Sequence, residues 1–406
     1  MSGDRAWAAT LRDACERPAE TAAAWRAGGG LVVGLLGWSA PRELVAAAGL
    51  LPVRLSPEGL ARQAGTRGPD GAAQPDTTGA YGRELAPATA GFAAALLSGA
   101  LDWIDFLVIG RDREDYTRLF YLLRELRRSG SAPGLIPVAF FDLLRLPSRT
   151  SARYNRQRAA ELTAVIAGWA GRPVTPSGLA GAAEAERERA HSFGAIQALR
   201  NRPQPAITGT DALAAAIAAR VLPVGRLRPL LAAALASAGS QHAVTGTGPA
   251  ARVFAAGSGT DDLAVYAALE DLGIAIVGED HEWSDNGGEY PQATPDPLDG
   301  IVDRYQFAHG GAARAGLRDR VLATVDRVRA TGADGVLYLL GRRDEAARWE
   351  LPALREHLGH GTPLVAVRLR DPWDTSGQER SSDACQAGRN LLAVLGADEA
   401  ARARHG

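Results

Sequence analysis

The sequence predicts an α/β fold: two doubly wound parallel-sheet domains plus a helical module. Short continuous apolar runs, each followed by a glycine-bearing turn and a segment of helical period, mark strands buried on both faces. This alternation stops near Ser148 and restarts after about Ser240, leaving helical periodicity alone in between. An internal echo links the two α/β stretches. Asp105 to Asp115 and Asp334 to Glu345 both run from Asp through an apolar strand into Gly-Arg and then mixed acids and arginines. The implied organisation is an N-terminal helix over 1–30 packed on the helical module, a first α/β domain over 31–147, the helical module over 148–245 and a second α/β domain over 246–406. Two such domains aim their strand ends at one cleft, where a ligand is expected.

In order along the chain, residues 4 to 27 have the apolar spacing of one amphipathic helix, ended by Gly28-Gly29-Gly30. Leu31 to Leu36 reads as a strand. Gly37-Trp38-Ser39-Ala40 is its turn, and Pro41 opens a helix from Arg42 to Ala48. Ser56 to Thr78, rich in Gly, Pro, Asp and Gln, reads as a long loop. A helix from Pro87 to Leu101, a strand from Ile104 to Ile109, a helix to Arg128 and a strand from Leu135 to Phe141 follow. In the helical module, Arg156, Arg158, Glu184, Glu186, Arg187 and Glu188 read as solvated helix faces. The second α/β stretch has strands at Arg252 to Ala256, Ile274 to Val277, Gly335 to Leu340 and Leu364 to Val367. Helices are expected at Ala312 to Ala330 and Glu350 to His357, and a closing helix holds Cys385.

Composition excludes several function classes. The 406 residues carry 45 basic against 46 acidic side chains, and every basic one is arginine. Without lysine there is no Walker A loop, no pyridoxal Schiff base and no lysine nucleophile. All-arginine usage in an alanine-rich chain reads as coding bias. Near-zero net charge and the lack of a basic block argue against nucleic acid as a partner. The longest apolar stretch, Gly91 to Gly110, is interrupted by Asp102 and Asp105, so no membrane span is expected. The opening residues carry an early acid and no apolar core, so no signal peptide is expected, and a cytoplasmic, reducing location fits the 2 cysteines, Cys15 and Cys385. These two can form no zinc ribbon or four-cysteine iron–sulfur site.

Some motifs carry chemistry. Gly257-Ser258-Gly259-Thr260 follows a strand and opens a helix, so its amides suit a phosphate or carboxylate; a tight turn capped by Thr260 or Asp261 accounts for it equally well. Gly246 to Ala251 looks like a dinucleotide fingerprint but precedes its strand. Glu279-Asp280-His281-Glu282 lies at a strand's carboxyl end, where Asp280 or His281 is a candidate acid or base, although adjacent loop residues seldom converge. Trp38 is a candidate cleft wall, and Ser39 a donor to a ligand carbonyl. No metal ligand set is assigned.

The stretch from Gly37 to Leu55, with Pro41-Arg42-Glu43-Leu44 and Gly49-Leu50-Leu51-Pro52-Val53-Arg54-Leu55, resembles the start of the 2-hydroxyacyl-CoA dehydratase and benzoyl-CoA reductase subunit family. Leu101 to Tyr121, Pro205 to Gly209, Arg252 to Asp262, Gly273 to Asp280, Asp334 to Leu358 and Gly377-Gln378 agree in order and spacing. The resemblance implies two α/β domains plus a helical one, a homologous sister subunit, an acyl-CoA thioester ligand, and a [4Fe-4S] cluster on three cysteines fed by an ATP-driven activator. In this chain the cysteine positions fall near Gly82 to Glu84, at about Glu114 and at about Asp344, and none is cysteine. The family's closing helix also departs, with Ser382 where an arginine is usual.

Carboxylates and arginines are poor ligands for cluster iron, so the expectation is a chain that binds no cofactor, with [4Fe-4S] only in a partner subunit. Arg111, Arg113, Glu114, Arg342, Arg343 and Asp344 are expected to fill the former cluster cavity as a charge-paired network. The leading functional reading is a cluster-free subunit of a dehydratase-like complex, binding a CoA thioester or scaffolding a cluster-bearing homologue, or a second copy of itself. If catalytic, it is a lyase. The alternatives are a stand-alone non-redox enzyme acting on a CoA thioester through Ser39, Asp280 and His281, and a non-catalytic assembly protein.

Overall fold

The computed structural model describes residues 5–64, 85–240, 250–284, 294–307, 316–342, 344–359, 361–370 and 377–405. Two helices open the chain, α1 (Ala6–Glu16) and α2 (Pro18–Ala27), where the periodicity predicts one. The break falls at Pro18, which has no amide hydrogen to continue the first helix but suits the first turn of the second. The first sheet contains β1 (Val32–Leu36), β2 (Leu51–Leu55), β3 (Phe106–Gly110) and β4 (Val138–Phe141), all parallel, in the order β2-β1-β3-β4. Strand β2 is absent from the sequence reading because Pro52 interrupts it. As an edge strand it tolerates a residue that cannot donate on its open side. Helices α3 (Arg42–Ala47), α4 (Pro57–Ala64), α5 (Pro87–Leu97) and α6 (Glu114–Arg128) belong to this domain. Helix α4 occupies the start of the expected long loop, whose remainder, 65–84, lies outside the described residues.

Helices α7 (Arg149–Ala170), α8 (Pro176–Arg200), α9 (Gly209–Ala218) and α10 (Val224–Ser240) make the helical module. The second sheet is built of β5 (Ala251–Gly257), β6 (Ile274–Asp280), β7 (Gly335–Gly341) and β8 (Leu364–Leu369), again parallel, in the order β6-β5-β7-β8. It is served by α11 (Leu263–Glu270), α13 (Leu317–Thr331), α14 (Glu345–Leu358) and α15 (Gly377–His405), while α12 (Pro297–Phe307) crosses back to pack on α7 and α8. The two sheets have one topology: β5 to β8 repeat β1 to β4.

The sequence echo falls on β3 and β7, the equivalent strands. Asp105 before β3 accepts the Val32 amide hydrogen at 2.7 Å, and its own amide donates to the Val32 carbonyl at 2.9 Å. Asp334 before β7 does the same with Arg252, at 2.8 Å each way. One acid per half thus fastens the third strand to the start of the first.

Apolar residues cover both faces of each sheet. In the first, Val32, Leu36, Leu107 and Ile109 face α5 and α6, while Val33, Leu35 and Val108 face α3, α7 and α8. In the second, Val253 and Leu337 face α9, α11 and α15, and Phe254, Val336 and Tyr338 face α13 and α14. Helix α1 packs on α8 to α10. No helix among the described residues is long and apolar enough to cross a membrane.

Candidate functional site

In open parallel sheets ligands bind beyond the carboxyl ends of the strands, where the strand order reverses. Here that point lies between β1 and β3, and again between β5 and β7. The chain leaves β1 through Gly37 at φ +93° and β5 through Gly257 at φ +94°. Neither tolerates a side chain: a Cβ on Gly37 would sit 2.1 Å from Asp112 Oδ2, and one on Gly257 2.3 Å from the Leu339 carbonyl oxygen.

At the first switch point, Asp112 Oδ2 accepts the Ser39 amide hydrogen at 3.1 Å, and Oδ1 pairs with Arg145 at 2.9 Å. The Arg145 guanidinium lies over the Trp38 ring, 4.0 to 4.5 Å being typical contact distance and 4.3 Å the value here. Ser39 is fully buried, and its hydroxyl has no hydrogen-bond partner among the described residues. An orphaned buried hydroxyl is costly, and in a native site it calls for an explanation.

The second switch point is closed by its own groups. Ser258 Oγ donates to Asp344 Oδ2 and accepts the Gly341 amide hydrogen, both at 2.8 Å, while the Ser258 amide donates to the Leu339 carbonyl. Asp344 Oδ1 also caps α14 by accepting from Ala347. Thr260 Oγ1 accepts from Asp262, which caps α11 and pairs with Arg380 at 3.0 Å. Gly259 packs against Glu282, since a Cβ there would lie 2.4 Å from Glu282 Cγ. The start of α11 therefore has a carboxylate of its own. Residues 246–249 of the fingerprint-like stretch lie outside the described residues.

The run from Glu279 to Glu282 sends its four side chains four ways. A bulge beside Val253 carries β6 on to Asp280, so the first two acids are strand residues, not loop residues as the sequence suggests. Glu279 forms a buried two-pronged pair with Arg200 of α8, at 2.5 and 2.9 Å. Asp280 accepts from Thr324 and pairs with Arg327, both on α13. His281 is 1% exposed. Its Nδ1 accepts from the Trp283 amide at 3.2 Å and its Nε2 meets the Tyr266 hydroxyl at 3.0 Å. Burial pushes its pKa down to about 4, so at neutral pH it is uncharged, with both ring nitrogens engaged. Only Glu282 faces the other domain. It pairs with Arg54 of β2 at 3.5 Å and with Arg113 at 3.1 Å.

The carboxyl ends of the two sheets thus meet. Arg62 of α4 adds a contact to Asp261 at 2.6 Å, and Arg113 also holds Glu58 at 3.0 Å. The other residues expected in a former cluster cavity have local partners: Arg111 pairs with Asp142 at 2.9 Å and Glu114 with Arg118 at 3.6 Å. The Arg342 carbonyl accepts from Arg348, and Asp344 is engaged as above. None of these pairs joins the loop after β3 to the loop after β7; the observed bridge runs from Arg113 to Glu282. Arg343 and Gly82 to Glu84 lie outside the described residues.

Sequence reasoning also missed a buried charge cluster. Glu186 of α8, expected in solvent, is 4% exposed and pairs with Arg42 at 3.2 Å and Arg189 at 2.8 Å. Against the upward push of burial, Arg189, Arg42 and Arg304 hold this carboxyl well below the ordinary range. Glu43 of α3, fully buried, accepts from Tyr305 at 2.7 Å and pairs with Arg304 at 2.5 Å. The available signal was Glu43 lying directly beside Leu44 and Val45 on a short apolar helix.

Fold and site define an α/β protein of two parallel-sheet domains whose sheets meet at their carboxyl ends and keep, at one switch point, a buried hydroxyl with no partner among the described residues. The family model for 2-hydroxyglutaryl-CoA dehydratase, D-component, matches residues 37–380, and the chain belongs to this family. No curated protein matches it.

Proposed function

We propose that the chain is a dehydratase-type subunit that binds a CoA thioester without a cluster of its own and works beside a cluster-bearing homologue. The carrying observation is the Ser39 hydroxyl, buried at the carboxyl end of β1 with no hydrogen-bond partner among the described residues. A thioester carbonyl oxygen is the acceptor it lacks, and Ser39 Oγ–H donates to it while Asp112 holds the Ser39 backbone in place. The hydroxyl is enclosed, so the ligand enters as the facing sheet ends part. The pairs that close them are Arg54–Glu282, Arg113–Glu282 and Arg62–Asp261.

A cluster held by three cysteines does not fit the donor set. The chain has 2 cysteines. Cys15 on α1 donates to the Leu11 and Ala214 carbonyls at 3.1 Å, and burial raises its pKa, the opposite of what a thiolate ligand needs. Cys385 on α15 donates to the Ala268 carbonyl at 3.3 Å. Neither lies at a switch point, and Asp344, at one expected ligand position, is spent as a helix cap. The stand-alone enzyme reading finds no support in His281 or Asp280, whose polar atoms are engaged inside the second domain.

The test is calorimetric titration of the chain with a CoA thioester and with free CoA. The thioester is expected to bind more tightly, and Ser39→Ala to cut its affinity up to about tenfold, the worth of one hydrogen bond, with free CoA unaffected. The variant's thermal midpoint should stay level or rise, because an orphaned hydroxyl is removed. Equal thioester affinity in variant and parent would overturn the assignment.

A further inference from the structure

Beside the first switch point lies a cavity of about 70 Å³. Its charged wall comes from five separate places: Arg42 of α3, Arg54 of β2, Arg189 of α8, Arg220 beyond α9 and Arg304 of α12. Leu35, Gly37, Trp38, Ala40 and Tyr305 supply the rest. Glu43, Glu186 and Glu282 pair with guanidiniums of this wall, and Glu282 is shared with Arg113 as well. Arg220 donates to the carbonyls of Ala216, Trp283 and Ser284. Five guanidiniums, and no carboxylate among the lining residues, thus border a space completed by aromatic and aliphatic groups.

Such a lining favours one kind of guest. Guanidinium forks match the paired oxygens of carboxylate or phosphate, and a partly desolvated wall strengthens each contact. Size limits the guest further, because cofactor-sized ligands need roughly 300 Å³ or more. A CoA molecule does not fit, whereas a free phosphate or the end of a short organic acid does. Burial lowers the pKa of Arg189, and the nearby Arg42 and Arg304 add to that, which is the repulsion a bound anion relieves.

We propose that this cavity is a binding site for a small oxyanion, separate from the thioester position at Ser39. Two of its wall residues, Arg54 of the first domain and Arg220 of the helical module, donate to the Glu282 and Trp283 carbonyls of the second domain, so the bound anion also fastens the domains together.

The experiment titrates the chain with inorganic phosphate and, separately, with succinate, at constant ionic strength set by chloride. One saturable site with a rise in thermal midpoint is expected for at least one of the two. Phosphate alone identifies an inorganic or phosphoryl source, succinate alone an organic acid, and either supports the proposal. Arg220→Gln should weaken binding at least tenfold. Ala40→Leu, which fills the cavity and keeps every charge, should abolish it, while Ser39→Ala should leave it intact. Chloride-like behaviour of both anions, or unchanged binding in Ala40→Leu, would overturn the proposal whatever the thioester titration shows.

Discussion

His281 shows how a side chain placed for catalysis by sequence can be consumed by structure. It directly follows β6, along which alternate residues face opposite sides of the sheet. Glu279 and His281 therefore turn toward α8 and α11, and Asp280 toward α13. Adjacent titratable residues on a strand are the least able to converge, and only Glu282, past the strand end, reaches the other domain. The burial of neutral His281 has a consequence in pH. Its folded pKa of about 4 lies below the ordinary 6.5. The unfolded chain therefore takes up a proton first, and the stability from this group, fully present above pH 6.5, is lost as pH falls toward 4, on the order of 3 kcal/mol. Denaturant unfolding from pH 7 to 4 should show this slope in the parent and a shallower one in His281→Gln. Equal slopes would place the proton elsewhere.

Among the elements, those with strong periodicity or continuous apolar runs were legible: β1, β3, β5, β7 and the helices of the module. The misses share physical causes. Pro52 disguises edge strand β2, Pro18 splits the first helix, and a bulge lengthens β6. The charged hub at Glu186 could not be read, because its burial depends on arginines distant in sequence. By contrast the echo of Asp105 in Asp334 was visible, and it marks one hydrogen-bond device used twice. Asp105→Ala and Asp334→Ala should each cost about 1 to 2 kcal/mol, and their double variant about the sum, because they act in different sheets. Chemical denaturation measures this; a cost confined to one half would mean that the two devices are not equivalent.

At the scale of the whole molecule, α8 is the strut. Glu186 near its middle joins the arginines of α3 and α12, and Arg200 at its end holds Glu279 of the second sheet. Removing one partner of such a buried pair costs about 3 to 5 kcal/mol, so the domain arrangement is well held from this side. The opposite side is closed by the more exposed pairs around Glu282 and Asp261. That asymmetry suits a cleft that opens at one edge to admit a thioester. The duplicated sheets are present, and the chain's 2 cysteines, Cys15 and Cys385, sit on α1 and α15 away from the switch points, which makes cofactor content the sharpest test. Iron and acid-labile sulfide should be measured on the chain purified anaerobically by itself. Neither is expected in stoichiometric amount; one full complement of iron and sulfide per chain would overturn the cluster-free proposal.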